Sequence, residues 1–131
     1  MSTKFVMISS AVVMAVLGIA LSFFSQEILN YMGIETTKLP QVILQILGAL
    51  YLGFAMLNWM AKANLIGGIY SRPLAIGNFM HFMVGALALI KVFFANTGIK
   101  IILIPAITYL LFSLLFATIV FGSPKNNKSG I

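Results

Sequence analysis

Asn78 and His81 stand three residues apart in "RPLAIGNFMHFMVGALALIK" (Arg72 to Lys91), a run otherwise apolar enough to cross a membrane, and His81 is the only histidine in the chain. On a helix, that spacing sets the amide and the imidazole on one face. An imidazole can exchange a proton near neutral pH, ligate a haem iron, or donate and accept hydrogen bonds. Left without a partner in an apolar medium, either group costs several kcal/mol. Something must therefore satisfy them.

The rest of the chain narrows the chemistry. Aspartate and cysteine are absent, and the only carboxylates are Glu27 and Glu35. Paired-carboxylate catalysis and carboxylate metal cages have little to work with, and thiolate metal sites, disulfides and cysteine nucleophiles are excluded. No metal site and no resident cofactor are expected. The formal charge of +6 comes from seven lysines and Arg72 scattered at segment ends, not gathered on one basic face. Nucleic acid is not an expected partner.

With 61% apolar and 8% charged residues and a mean hydropathy of +1.09, the composition lies outside the soluble range. Four runs reach the roughly 20 residues needed to cross the hydrocarbon: about residues 5–24, 41–61, 73–95 and 99–121. The expected fold is all-α, a four-helix transmembrane bundle forming a single domain over residues 1–122, with a polar, disordered tail at 123–131. Pro40 and Pro73 sit where first-turn prolines are tolerated, and Gly98 and Gly122 fall just outside helical runs. Gly33 followed by Ile34 reads as a glycine C-cap, so that the first helix can continue through "SQEILNYM" to Met32. No small-residue cleavage site follows "GIALSFFSQE", and we read the first helix as retained rather than as a signal peptide.

An even number of spans puts both termini on one side, flanked by Lys4, Lys62, Arg72, Lys125 and Lys128; Lys38, Lys91 and Lys100 flank the other. The positive-inside rule favours cytoplasmic termini, with an inverted or dual orientation as the alternative; the expected setting is a bacterial inner membrane, crossed several times. In that orientation Asn58, Asn78 and His81 fall in the cytoplasmic leaflet, where Ser9, Ser10, Ser113 and Thr118 can join them. Three readings stay open: interhelical hydrogen bonds that only hold the helices together, a pocket that takes an amphiphile with its head near His81, or a redox role with haem or quinone. Arg72 and Trp59 join Asn58, Asn78 and His81 as candidate ligand contacts. Both also suit interfacial anchoring, Arg72 to anionic headgroups and Trp59 in the aromatic belt.

Small and polar residues at helical spacing mark the expected interior. They are Ala11, Ala15, Gly18, Ser22 and Ser25; Gln45, Gly48, Ala55 and Asn58 with Ala49 and Gly53 beside them; Asn78, His81, Gly85 and Ala88; and Ala106, Tyr109, Ser113 and Ala117.

The segments "FFSQEILNYMG", "QILGALYLGFAMLNWMAK" and "RPLAIGNFMHFMVGALALIK", with Gly48, Gly53, Gly77, Gly85 and the basic Arg72 opening the third span, resemble the small bacterial four-helix membrane proteins grouped as DoxX-like. That resemblance implies a four-helix bundle. Relatives in the group have been linked to quinone-dependent oxidation or to sulfur metabolism, and no catalytic motif transfers to a numbered residue here.

The leading expectation is a non-enzymatic, homo-oligomeric membrane protein. It binds membrane lipid, a lipid-like or other hydrophobic small molecule, or a protein partner, through Asn58, Asn78 and His81. A small homo-oligomeric transporter or channel and a membrane redox protein are the alternatives.

Overall fold

The computed structural model describes residues 3–62, 72–95 and 102–122, and every regular element among them is helical. In chain order these are α1 (Thr3–Phe23), α2 (Ser25–Tyr31), α3 (Lys38–Ala61), α4 (Arg72–Ala95) and α5 (Leu103–Phe121). Four of them, α1, α3, α4 and α5, are long and apolar enough to cross a membrane. Their 19 to 24 residues correspond to about 28–36 Å of helix, against about 30 Å of hydrocarbon. The first three begin one to three residues before the expected bounds, because Thr3–Lys4, Lys38–Pro40 and Arg72 already belong to first turns. Residues 99–101, Gly98 and the tail lie outside the described residues.

The expected count of four helices becomes five at Phe24, whose φ of −116° and ψ of 30° interrupt the helix. The break is a kink and not an end. Phe24 N–H still donates to Ala20 O at 2.9 Å, and Ile28 N–H donates to Phe24 O at 3.0 Å. The helical path does run on to Tyr31, as the glycine signal implied. Gly33 adopts a φ of +72°, Ile34 N–H donates to Leu29 O at 2.9 Å and Gly33 N–H to Asn30 O at 3.1 Å. These are the two bonds of a Schellman cap, and its left-handed residue carries a steric penalty in any residue with a Cβ.

Met7–Lys62 forms one compact unit, and α4 and α5 belong to the other. Within the first, α1 and α3 approach through glycine. A Cβ on Gly48 would collide with Ser22 Oγ and lie 2.8 Å from Gly18 O; one on Gly18 would lie 2.7 Å from Leu52 Cγ and 3.0 Å from Gly48 O. Lipid offers helices no hydrophobic reason to associate, so this close approach supplies dispersion contacts that bulkier residues would hold apart.

Burial corrects the expected stripes at two positions, Gln45 and Ala88, which are exposed; Ala49 and Gly53, beside the α3 stripe, are exposed as well. On α3 the buried residues are Gly48, Ala55, Asn58 and Ala61. On α4 they are Ala75, Asn78, Phe82 and Ala86, so the interior stripe includes a large aromatic ring where small and polar residues had been expected. The reason is packing: Phe82 stacks on two rings of α5, and that arrangement turns Ala88 outward.

Candidate functional site

In the α4–α5 unit, the His81 ring lies against α5. Its Nε2 is 3.1 Å from the hydroxyl of Tyr109, the proton lying on either partner according to the imidazole tautomer. The two rings are 5.3 Å apart between centroids and inclined by 56°. Tyr109 is buried, whereas His81 is only partly so. Gly85, four residues beyond His81 and so one turn along the same side of α4, makes the arrangement fit. A Cβ there would stand 2.5 Å from Tyr109 Cε2 and 2.6 Å from Cδ2.

Aromatic rings support the pair from below. Phe82 lies edge-on to His81 at 5.0 Å and to Tyr109 at 5.1 Å. It also stacks on Phe112 and Phe116 at 5.0 and 5.7 Å, with interplanar angles of 27° and 12°. Each such ring pair contributes beyond simple burial. Together they leave the Tyr109 ring little freedom to turn away from His81.

Asn78, the helical neighbour of His81, is fully buried, and its Nδ2 donates to Leu74 O at 3.0 Å, one turn back on α4. Arg72 opens α4 and is exposed. Nine residues separate it from His81, which on a continuous helix is about 13.5 Å along the axis and half a turn around it. The two therefore occupy opposite faces of α4.

Asn58 and Trp59 belong to the Met7–Lys62 unit. Asn58 is fully buried and donates from Nδ2 to Ser10 Oγ at 3.0 Å; the Ser10 hydroxyl in turn donates to Met7 O at 3.0 Å. The amide thus ties α3 to α1 by a short relay. Trp59 is 46% exposed, and Lys62 Nζ sits over its ring, 3.2 Å from the centroid. This cation–π pair ends α3 where an interfacial anchor would stand.

Of the five residues singled out in the sequence, then, only His81 combines a polar group inside a span with partial exposure. Its partner was missed. Tyr109 had been read as one member of the α5 stripe, and the complementary absence of a side chain at Gly85 was the only sequence signal that a large ring docks there. Among the described residues no three His, Cys, Asp or Glu side chains gather into a metal-binding group.

The fold and this geometry define the class: an all-helical chain with four helices able to cross a membrane and a histidine–tyrosine pair in one of its helix pairs. No protein-family model, no curated protein and no solved structure matches the chain.

Proposed function

We propose that this is a non-enzymatic, multi-pass membrane protein that binds a lipid-like small molecule, with the ligand's polar head at His81 and its tail along the apolar faces of α4 and α5. The observation that supports this most is the placement of His81. Ionisable residues inside membrane spans are costly and concentrate where ligands or ions are handled. This one is hydrogen-bonded to Tyr109 and is only partly buried.

Binding fits better than catalysis. Neither α4 nor α5 carries a carboxylate, so within this unit the histidine has no acid to orient it as nucleophile–histidine devices require. Asn58, fully buried, fastens α3 to α1 through Ser10, and the buried Asn78 amide donates within α4 to Leu74 O. The exposed apolar residues of α4 and α5, among them Met80, Val84, Leu87, Ile107 and Leu111, suit acyl chains as neighbours.

The test is native mass spectrometry of protein released from mild detergent, wild type beside His81→Ala. A discrete extra mass on the wild type that the variant loses is the expected result. Bare protein in both, at one oligomeric state, overturns the reading.

A further inference from the structure

At the C-terminal end of α3, Trp59 and Lys62 stand three residues apart and so share one face. Lys62 Nζ lies over the indole, 3.2 Å from the ring centroid, and Trp59 is 46% exposed. The ring attracts the ammonium through its π face and takes none of its three N–H donors as a hydrogen-bond acceptor would. The carboxylate side chains of the protein cannot take them either, because there are only two, Glu27 and Glu35. Ser10 meets Asn58 and Ser22 meets the Gly48 position, so α1 and α3 run antiparallel, and α2, which continues α1 past Phe24, lies toward the Lys38 end of α3. Glu35 precedes Lys38, and the 24 residues of α3 put about 36 Å between that end and Lys62. The countercharge must come from outside these side chains.

Position narrows what supplies it. The last carbonyls of α3 give this end a partial negative charge, so an anion docks here only against the ammonium. The indole face that Lys62 covers is closed to a choline or other cationic head, which would otherwise seek such a ring. Met56 and Met60 flank Trp59 and are 58% and 73% exposed. An acyl chain can lie along them while its phosphate stays level with the end of the span, where tryptophan and lysine anchor membrane helices. A free phosphate ion has no tail to place on that apolar border, and an acidic peptide leaves it bare.

We propose that Trp59 and Lys62 hold the headgroup of a phospholipid with net negative charge, Lys62 pairing with the phosphate and Trp59 fixing the ammonium in place. Both residues belong to the Met7–Lys62 unit, and the proposal is independent of the reading at His81.

Trp59 is the only tryptophan in the chain, so its fluorescence reports on this place alone. The full chain is reconstituted in phosphatidylcholine bilayers at constant ionic strength. Phosphatidylglycerol or phosphatidylcholine carrying brominated acyl chains is then added in increasing proportion, and the quenching of Trp59 gives the relative occupancy of the two lipids. We expect phosphatidylglycerol to be favoured about fivefold, the worth of one lysine at a membrane surface. Lys62→Gln brings the ratio to about one, and Lys62→Arg keeps the preference. Lys38→Gln, at the far end of α3, leaves it unchanged, as does excess inorganic phosphate. Each ratio compares two lipids on the same variant, so a change in Trp59 emission caused by the substitution itself cancels. Equal quenching by both lipids in the wild type overturns the proposal and leaves an acidic protein segment as the countercharge. A preference that survives Lys62→Gln, or that Lys38→Gln removes as fully, also overturns it, since general attraction would then account for the effect. Loss of the preference on adding inorganic phosphate overturns the lipid as the source.

Discussion

Tyr109 occupies the space that Gly85 leaves open on α4, and the fit is what brings its hydroxyl within 3.1 Å of His81 Nε2. A methyl group at residue 85 would have to displace a ring that is already buried against Phe82 and His81. Gly85→Ala should therefore lower stability by about 1–3 kcal/mol, the usual range for overpacking. It should also weaken any His81-dependent ligand retention. Gly77 and Gly53 have nothing within 4 Å of an added Cβ. Alanine at either should be neutral or stabilise by up to about 1 kcal/mol through helix propensity. Unfolding in mixed micelles on titration with SDS reads all three; Gly85→Ala as stable as Gly77→Ala would refute the fit.

The link between Asn58 and Ser10 is suited to a double-mutant cycle. Asn58→Ala and Ser10→Ala each remove one end of a 3.0 Å bond between fully buried groups. The coupling should be about 0.6 kcal/mol and no more than about 1.7, the span found for hydrogen bonds within membranes. Additive effects of the two substitutions would mean that the bond does not contribute to holding α3 on α1.

At Gly48 the obstacle is backbone as well as side chain, since an added Cβ meets Gly18 O at 2.8 Å and Ser22 N at 2.9 Å. Neither can swing aside without moving α1. Gly48→Ala should cost more than Gly18→Ala, because at Gly18 the closest atom is Leu52 Cγ at 2.7 Å, part of a side chain able to adjust. The same SDS titrations give the order. The reverse order would place the compliance of this contact in the wrong helix.

Gly33 separates conformational strain from collision. Its φ is +72°, yet nothing lies within 4 Å of an added Cβ. Gly33→Ala should destabilise by about 1–2 kcal/mol through the left-handed conformation alone. Gly33→Asn, better tolerated there, should recover part of the loss. Identical effects of the two substitutions would assign the cost to something other than φ.

The absence of cysteine makes topology directly measurable. Single cysteines at Lys4, Thr36 and Lys62 should react with a membrane-impermeant maleimide according to side. Thr36→Cys should label in intact cells, and Lys4→Cys and Lys62→Cys only after permeabilisation. Labelling of Thr36 and Lys4 from the same side would mean that α1 does not cross the bilayer.

Much of the helical layout was legible because it rests on local properties. Length and apolarity delimited the four long helices. Pro40 and Pro73 marked first turns, and Gly33 with Ile34 marked the Schellman cap through their own backbone preferences. The kink at Phe24 was not legible: no proline or glycine stands there, and the backbone bonds continue through it.

The interior stripes were only partly readable. Small residues report where backbones can approach, but both sides of α3 carry them. Gly48 is packed against α1, whereas the adjacent Ala49 and Gly53 are exposed. On α4 a search for small and polar residues passed over Phe82, because an aromatic ring is as natural toward lipid as toward a protein interior.

By itself, the sequence determined that the chain is helical, that four of its helices can cross a membrane, and that the chain's lone histidine falls within the third of them. These follow from residue type, periodicity and length, each a property of a short segment. Only the tertiary structure decided that Ser10 receives the Asn58 amide and that Tyr109, 28 residues from His81, is that histidine's partner. Such pairings depend on the rotation of each helix about its axis. Shape complementarity between facing surfaces sets that rotation, and a single helix, read alone, does not contain its partner's shape.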